Sequence, residues 1–210
     1  MNRRTLLTAL VLPALALPAL AEAQAARLSA QDRADIGRVE VYLNALRSLH
    51  ARFQQIAPDG TLSGGQAWIV RPGRLRFQYD PPAPFLLVAG KGMLVFNDSK
   101  LQQTSNLPLE RTPLGLLLQD NLRLSGEVTV TNVTRFPGQL QITLLRTATP
   151  SDGTLTLVFA DNPLALRSWS VVDAQRKETR VSLFDVQLGG SFEPSLFTFT
   201  DPTLSRNNSQ

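Results

Sequence analysis

Cysteine is absent from the 210 residues, so a disulfide framework, a thiolate metal site and a lipid-modified cysteine are all excluded as expectations. Histidine occurs once, as His50, beside Arg52 and Phe53. A histidine-based triad would have to use it, and a lone histidine at a helix-to-strand junction is far more often a surface residue than a base. The chain has no HExxH, no GxSxG and no Walker-type glycine loop, each of which would place reacting groups on one element. Asp98, Glu110, Asp120, Asp173 and Asp185 are scattered, with no spacing that suits zinc or calcium. An enzyme is therefore not expected, nor a cofactor or metal.

Two further shortages narrow the class. Beyond the N-terminal stretch no run reaches the 18 or so apolar residues that a spanning helix needs. The net charge is only +4, of which Arg3 and Arg4 contribute two, and no basic cluster is interleaved with stacking aromatics beyond Arg74 and Arg76. Nucleic acid is not an expected partner.

What the chain does contain begins with a charged start at Arg3 and Arg4, then an apolar run from Leu6 to Leu20, then small residues. This is the pattern of a secretory signal peptide over residues 1–25, with cleavage after 21, 23 or 25. Sec-type export is the expected route, and the paired arginines leave a twin-arginine signal as the alternative. The remainder, residues 26–202, suits one domain with a sizeable core, since 43% of the residues are hydrophobic and 18% charged. Residues 203–210 read as a disordered tail.

Along this domain, Ser29 and Asp32 have the spacing of a capping box. Ile36, Val39, Leu43 and Leu46 then recur at intervals of three and four, so an amphipathic helix is predicted over about Ala30 to Ser48. From Leu49 onward the pattern is strand and turn. The clearest piece is Gln66 to Pro82, in which Arg71-Pro72-Gly73-Arg74 supplies a tight reversal. After it Leu75, Phe77 and Tyr79 alternate with Arg74, Arg76 and Gln78, an apolar face against a basic one. By spacing, Arg71 reads as a solvated turn arginine, and Arg74 and Arg76 as a solvated strand face. One interruption lies between Thr112 and Gln119, where Leu114, Leu117 and Leu118 share a face of a short helix. Further strands follow, the last marked by Phe197 and Phe199. About ten or eleven short strands point to an antiparallel sheet curled into a barrel or half-barrel. Whether its apolar residues fill a core or line a cavity is not decided by periodicity.

The helix, the run W-I-V-R-P-G-R-L-R-F-Q-Y-D-P-P, the segment F-L-L-V-A-G-K, the leucine-rich T-P-L-G-L-L-L and the late F-T-F-T-D-P occur in this order. This order resembles the periplasmic lipoprotein carrier family, LolA, over nearly the whole predicted domain. The resemblance implies an incomplete antiparallel β-barrel, mainly β, covered by helices that act as a lid over an apolar cavity. It implies a monomer that receives acylated lipoproteins from an ATP-driven release complex in the inner membrane. It further implies delivery across the periplasm to an outer-membrane receptor lipoprotein, whose anchoring cysteine this chain lacks. Arg71 becomes the lid latch, hydrogen-bonded to lid backbone, a role for which a planar guanidinium with several donors is suited. The lid and acyl-cavity residues implied are Ile36, Val39, Leu43, Leu46, Leu114, Leu117 and Leu118, with Trp68, Leu75, Phe77 and Tyr79 on the cavity wall. A periplasmic carrier or sensor for other lipids on the same half-barrel is the alternative.

Overall fold

A computed structural model describes residues 28–200. The expected signal peptide and the tail at 203–210 lie outside the described residues. Eleven strands form one antiparallel sheet in the order β6-β5-β4-β3-β2-β1-β11-β10-β9-β8-β7. They are β1 (Ser48–Ile56), β2 (Leu62–Val70), β3 (Arg74–Tyr79), β4 (Phe85–Gly90), β5 (Met93–Asp98), β6 (Gln103–Pro108), β7 (Val128–Phe136), β8 (Gln139–Arg146), β9 (Gly153–Ala160), β10 (Ala165–Asp173) and β11 (Glu178–Leu188). The two runs of consecutive hairpins meet where β1 pairs with β11, and β6 and β7 remain as unjoined edges. The sheet is therefore open, not a closed barrel.

It is nevertheless strongly curled. Phe77 on β3 and Trp169 on β10 are four strand positions apart, which in a flat sheet would be about 19 Å. Their ring centroids are 6.0 Å apart and perpendicular. The concave face carries the alternating apolar set: Leu75 and Phe77, then Leu140, Ile142 and Leu144 on β8, and Leu155, Leu157 and Phe159 on β9, all buried.

The helix α1 (Ala30–Ala45) begins at the predicted capping box. The Asp32 N–H donates to Ser29 Oγ at 3.0 Å and the Ser29 N–H to Asp32 Oδ2 at 2.8 Å. It ends three residues earlier than the pattern suggests, because Leu46 is extended and the chain must enter β1 at Ser48. Its stripe of Val39, Leu43 and Leu46 is buried in the core, with Ile36 packed at the margin. Tyr42 meets Phe159 edge-on at 5.7 Å, and its hydroxyl accepts from the Leu166 N–H.

The short helix α2 is only Leu114–Leu117. Thr112 caps it as expected, since the Gly115 N–H donates to Thr112 Oγ1 at 3.1 Å. Leu114, Leu116, Leu117 and Leu118 are all buried, so this single turn exists through tertiary contacts and not through its own propensity.

The expected last strand at Phe197 and Phe199 is not formed. Pro194–Phe197 is a 3-10 turn, and the segment from Gly189 to Thr200 crosses the convex face as a strap. Phe197 is buried there, beneath the Arg74 guanidinium at 5.6 Å. Arg76 Nη1 donates to the Leu196 carbonyl at 3.1 Å. The basic face read as solvated is thus half covered, and burial pushes the Arg76 pKa down.

Candidate functional site

The turn between β2 and β3 carries Arg71 into the molecule instead of out of it. Its backbone N–H donates to the Arg47 carbonyl at 2.8 Å, and the Gly73 N–H donates to the Leu118 carbonyl at 2.9 Å. Gly73 has φ +70°, which a side chain would strain. These two backbone bonds pin the turn between the end of α1 and the end of α2. The Arg71 side chain is then buried, at 4% exposure.

Its guanidinium is held by carbonyls. Nε donates to the Gln119 carbonyl at 2.9 Å, and Nη2 donates to the same oxygen. Nη2 lies at the limit of hydrogen bonding from the Asp120 carbonyl, 3.4 Å, and from Asn44 Oδ1, 3.5 Å. Nη1 is buried with no partner among the described residues. Burial and the neighbouring Arg47 charge lower the Arg71 pKa, against an opposing pull from Asp120. The Asp120 carboxylate itself pairs with Arg47 at 3.0 Å.

The segment that follows α2 is also fastened to α1. Asn44 acts as a backbone mimic: its Nδ2 donates to the Leu122 carbonyl and its Oδ1 accepts from the Leu122 N–H, both at 2.9 Å. Glu40 accepts from the Leu124 N–H at 2.9 Å. The other end of α1 is tied to the sheet through Asp35, which is 2% exposed. Asp35 accepts from Arg135 of β7 at 2.7 Å and from Arg38 at 2.9 Å, while Arg135 also reaches Asp32 at 2.8 Å. Burial pushes the Asp35 carboxyl up, but the bonds from Arg135, Arg38 and Gln31 outweigh it and leave the pKa lowered.

Beneath α2 the concave face leaves a cavity of 380 Å³. Phe77, Leu87, Leu94, Trp169, Val171 and Val181 line it from the sheet, and Leu114 from α2. Of the residues expected at the site, Phe77 and Leu114 line this space. Leu75, Leu117, Leu118, Val39, Leu43 and Leu46 are packed solid in the adjoining core, with Ile36 at its edge. Tyr79 is buried on the same concave face between Phe53 and Phe85. Its hydroxyl donates to Gln55 at 2.7 Å, and desolvation raises its pKa to about 12.

Trp68 is a correction. It lies directly across from Arg76, and Ala67 and Ile69 lie across from Phe77 and Leu75. Period-2 alternation therefore puts Trp68 on the convex face, away from the cavity. There it stacks on His50 at 5.0 Å, and His50 Nε2 lies 3.1 Å from Gln66 Oε1. The tryptophan that does line the cavity, Trp169, and the ties made by Asn44, Asp35 and Arg135 are not marked by local pattern. Asp35 and Arg135 are 100 residues apart, so no window of sequence joins them.

A curled open antiparallel sheet with an apolar cavity on its concave face and a short helical segment beside it defines a half-barrel. Residues 44–200 match the family model described as outer membrane lipoprotein carrier protein LolA, and the chain belongs to this family, which is one of carrier proteins. It is 27% identical over 187 residues to an outer-membrane lipoprotein carrier protein of Pseudomonas aeruginosa (strain UCBPP-PA14), covering 85% of this chain and 89% of that one. A protein of the same description from Methylococcus capsulatus is 26% identical over 174 residues, covering 79% and 83%. Among solved structures, a LolA superfamily protein from Nitrosomonas europaea aligns with 78% of this chain and 97% of its own, at 9% identity and a TM-score of 0.41.

Proposed function

We propose that this protein is a periplasmic carrier that takes the acyl chains of lipoproteins into the concave cavity and moves them from the inner to the outer membrane. A cleaved signal peptide exports it. An ATP-driven release complex in the inner membrane loads it, and a receptor lipoprotein in the outer membrane unloads it. The observation that carries this reading is the bond from Arg71 to the Gln119 carbonyl, which fastens a lid over an apolar space. Arg71 is the latch of that lid. Ile36, Val39, Leu43, Leu46, Leu117 and Leu118 are its apolar underside, which becomes cavity wall when it lifts. Family membership supports the cargo class. Among the described residues no helix is long and apolar enough to cross a membrane.

Magnitudes support a lid that moves. Sheltering a methylene is worth about 0.8 kcal/mol, so three chains of about 15 methylenes would give on the order of 36 kcal/mol if fully buried. Non-covalent affinity saturates near about 18–21 kcal/mol. A carrier that must release its cargo has to offset much of this burial, and breaking the Arg71 contacts and exposing the lid's underside on loading does so. The cavity, 380 Å³, is also at the small end of the range of about 300–1,000 Å³ for pockets that take one drug-sized ligand. That size favours the second reading, a periplasmic carrier or sensor for other lipids. The experiment that separates them adds the purified chain to spheroplasts: the carrier reading expects a soluble complex of this chain with a lipoprotein, and co-purification of free lipids alone favours the alternative.

A further inference from the structure

Side chains of both charge signs line the 380 Å³ cavity. Arg111 stands at the end of the 3-10 turn Leu109–Arg111, Asp152 at the end of Pro150–Asp152, and Asp173 and Lys177 at the β10–β11 turn, and all four line the cavity. Asp173 Oδ1 accepts from the Gln175 N–H at 2.8 Å and the Lys177 N–H at 2.9 Å, while Asp152 Oδ2 accepts from Thr149 Oγ1 at 2.6 Å. These bonds set the direction of both carboxylates and leave each its other oxygen. Arg111 and Lys177 are exposed and make no ion pair among the described residues. The same cavity has an apolar wall that includes Trp169, Phe77 and Leu87.

Two properties of this arrangement select a ligand. A volume of 380 Å³ suits one chain and not three. The set of two cations and two carboxylates favours neither a net anion nor a net cation, and matches a head that carries both charges: a guanidinium grips phosphate oxygens, and carboxylates accept from an ammonium. We infer that the closed-lid cavity binds a single-chain zwitterionic lipid, a monoacyl phospholipid with an amine in its head, its chain against Trp169 and its head between Arg111, Lys177, Asp152 and Asp173. This rests on the cavity reading proposed above and deepens it: a one-chain lipid occupies the latched form, and multi-chain cargo displaces it.

The chain contains two tryptophans, and Trp68 faces away from the cavity, so Trp68→Phe leaves Trp169 as the single reporter. The test titrates this variant, below the micelle threshold, with lysophosphatidylethanolamine brominated on its chain, and with the brominated fatty acid and fatty alcohol of equal length. The expected result is saturable quenching of Trp169 at one lipid per protein, with the zwitterion bound about tenfold more tightly than either comparison lipid. Arg111→Ala with Lys177→Ala, folded by circular dichroism, should remove that advantage and leave the alcohol's affinity unchanged. Lys177→Gln alone should remove part of it. Equal affinities for the three lipids, an advantage that survives the double substitution, more than one chain bound, or no quenching each overturns the inference. Release of lipoprotein from spheroplasts by the same preparation keeps the two readings apart. Release without lysolipid binding overturns this inference alone, and failure of release overturns the carrier reading.

Discussion

Arg71 and Gln119 meet through a single acceptor: Nε donates at 2.9 Å, and Nη2 donates to the same carbonyl oxygen. A buried cation held by backbone oxygen, with no paired carboxylate and no partner for Nη1 among the described residues, is held by directional bonds but not compensated for its desolvation. Hydrogen bonds to a charged group are worth about 1.5–3 kcal/mol each, while desolvation opposes them. Arg71→Leu should therefore change global stability by no more than about 2 kcal/mol in either direction. Its local effect should be larger, read as faster amide hydrogen exchange across residues 114–124 with the sheet amides unchanged. Loss of sheet protection would show that Arg71 supports the fold and not a lid.

Asp35 anchors the opposite end of α1. Its charged bonds to Arg135 and Arg38 are almost fully buried on the carboxylate side, and Asp35→Ala should cost about 1.5–3 kcal/mol in urea unfolding at neutral pH. The folded pKa is depressed, so the contribution is fully present above the unfolded carboxylate value of about 4 and lost as pH falls through the lower folded value. Stability should hold from pH 7 to pH 5 and drop below about pH 4. Asp35→Asn should flatten part of that drop, and an unchanged acid profile would rule Asp35 out as its source.

Asn44 replaces backbone pairing for an isolated residue, Leu122. In Asn44→Leu the Leu122 N–H and C=O lose their partners in a part-buried place, at about 1–3 kcal/mol. Exchange at Leu122 and Leu124 should quicken, and the unfolding midpoint should fall. An Asn44→Leu protein with unaltered exchange would place the hold on this segment in the ties from Arg71, Gly73 and Glu40.

Much of the sheet was readable in the sequence because turns and alternation repeat each other's message. Arg71-Pro72-Gly73-Arg74 and the alternation of Leu75, Phe77 and Tyr79 describe the hairpin and its buried face, and both are as observed. Trp68 was misplaced because Trp68-Ile69-Val70 is a run of three apolar residues, in which hydrophobicity no longer reports parity; only the partner strand does. Phe197 and Phe199 imitate a strand by alternating with Thr198, but Pro194–Phe197 forms a 3-10 turn and Phe197 is buried by the convex face instead. The ties that hold α1 and the segment after α2 in place were not readable. They run between Asp35 and Arg135, between Asn44 and Leu122, and from Arg71 to a carbonyl that has no residue-type signature.

The parity correction carries its own test. Substitution of Trp169, which meets Phe77 at 6.0 Å inside the cavity, should weaken acyl binding, whereas Trp68→Ala should leave it within about twofold and lower stability through the lost stack on His50, by about 0.5–1.5 kcal/mol. A binding defect in Trp68→Ala equal to that of Trp169→Ala would contradict the assignment of faces.

The most direct measurement of the latch follows a labelled lipoprotein through Arg71→Leu in a two-stage assay, release from spheroplasts and then transfer to outer-membrane vesicles. The account predicts normal release, because the cavity is intact, and retention of lipoprotein on the carrier, because closing no longer regains the Gln119 contact. Release followed by transfer at the unsubstituted rate would contradict it.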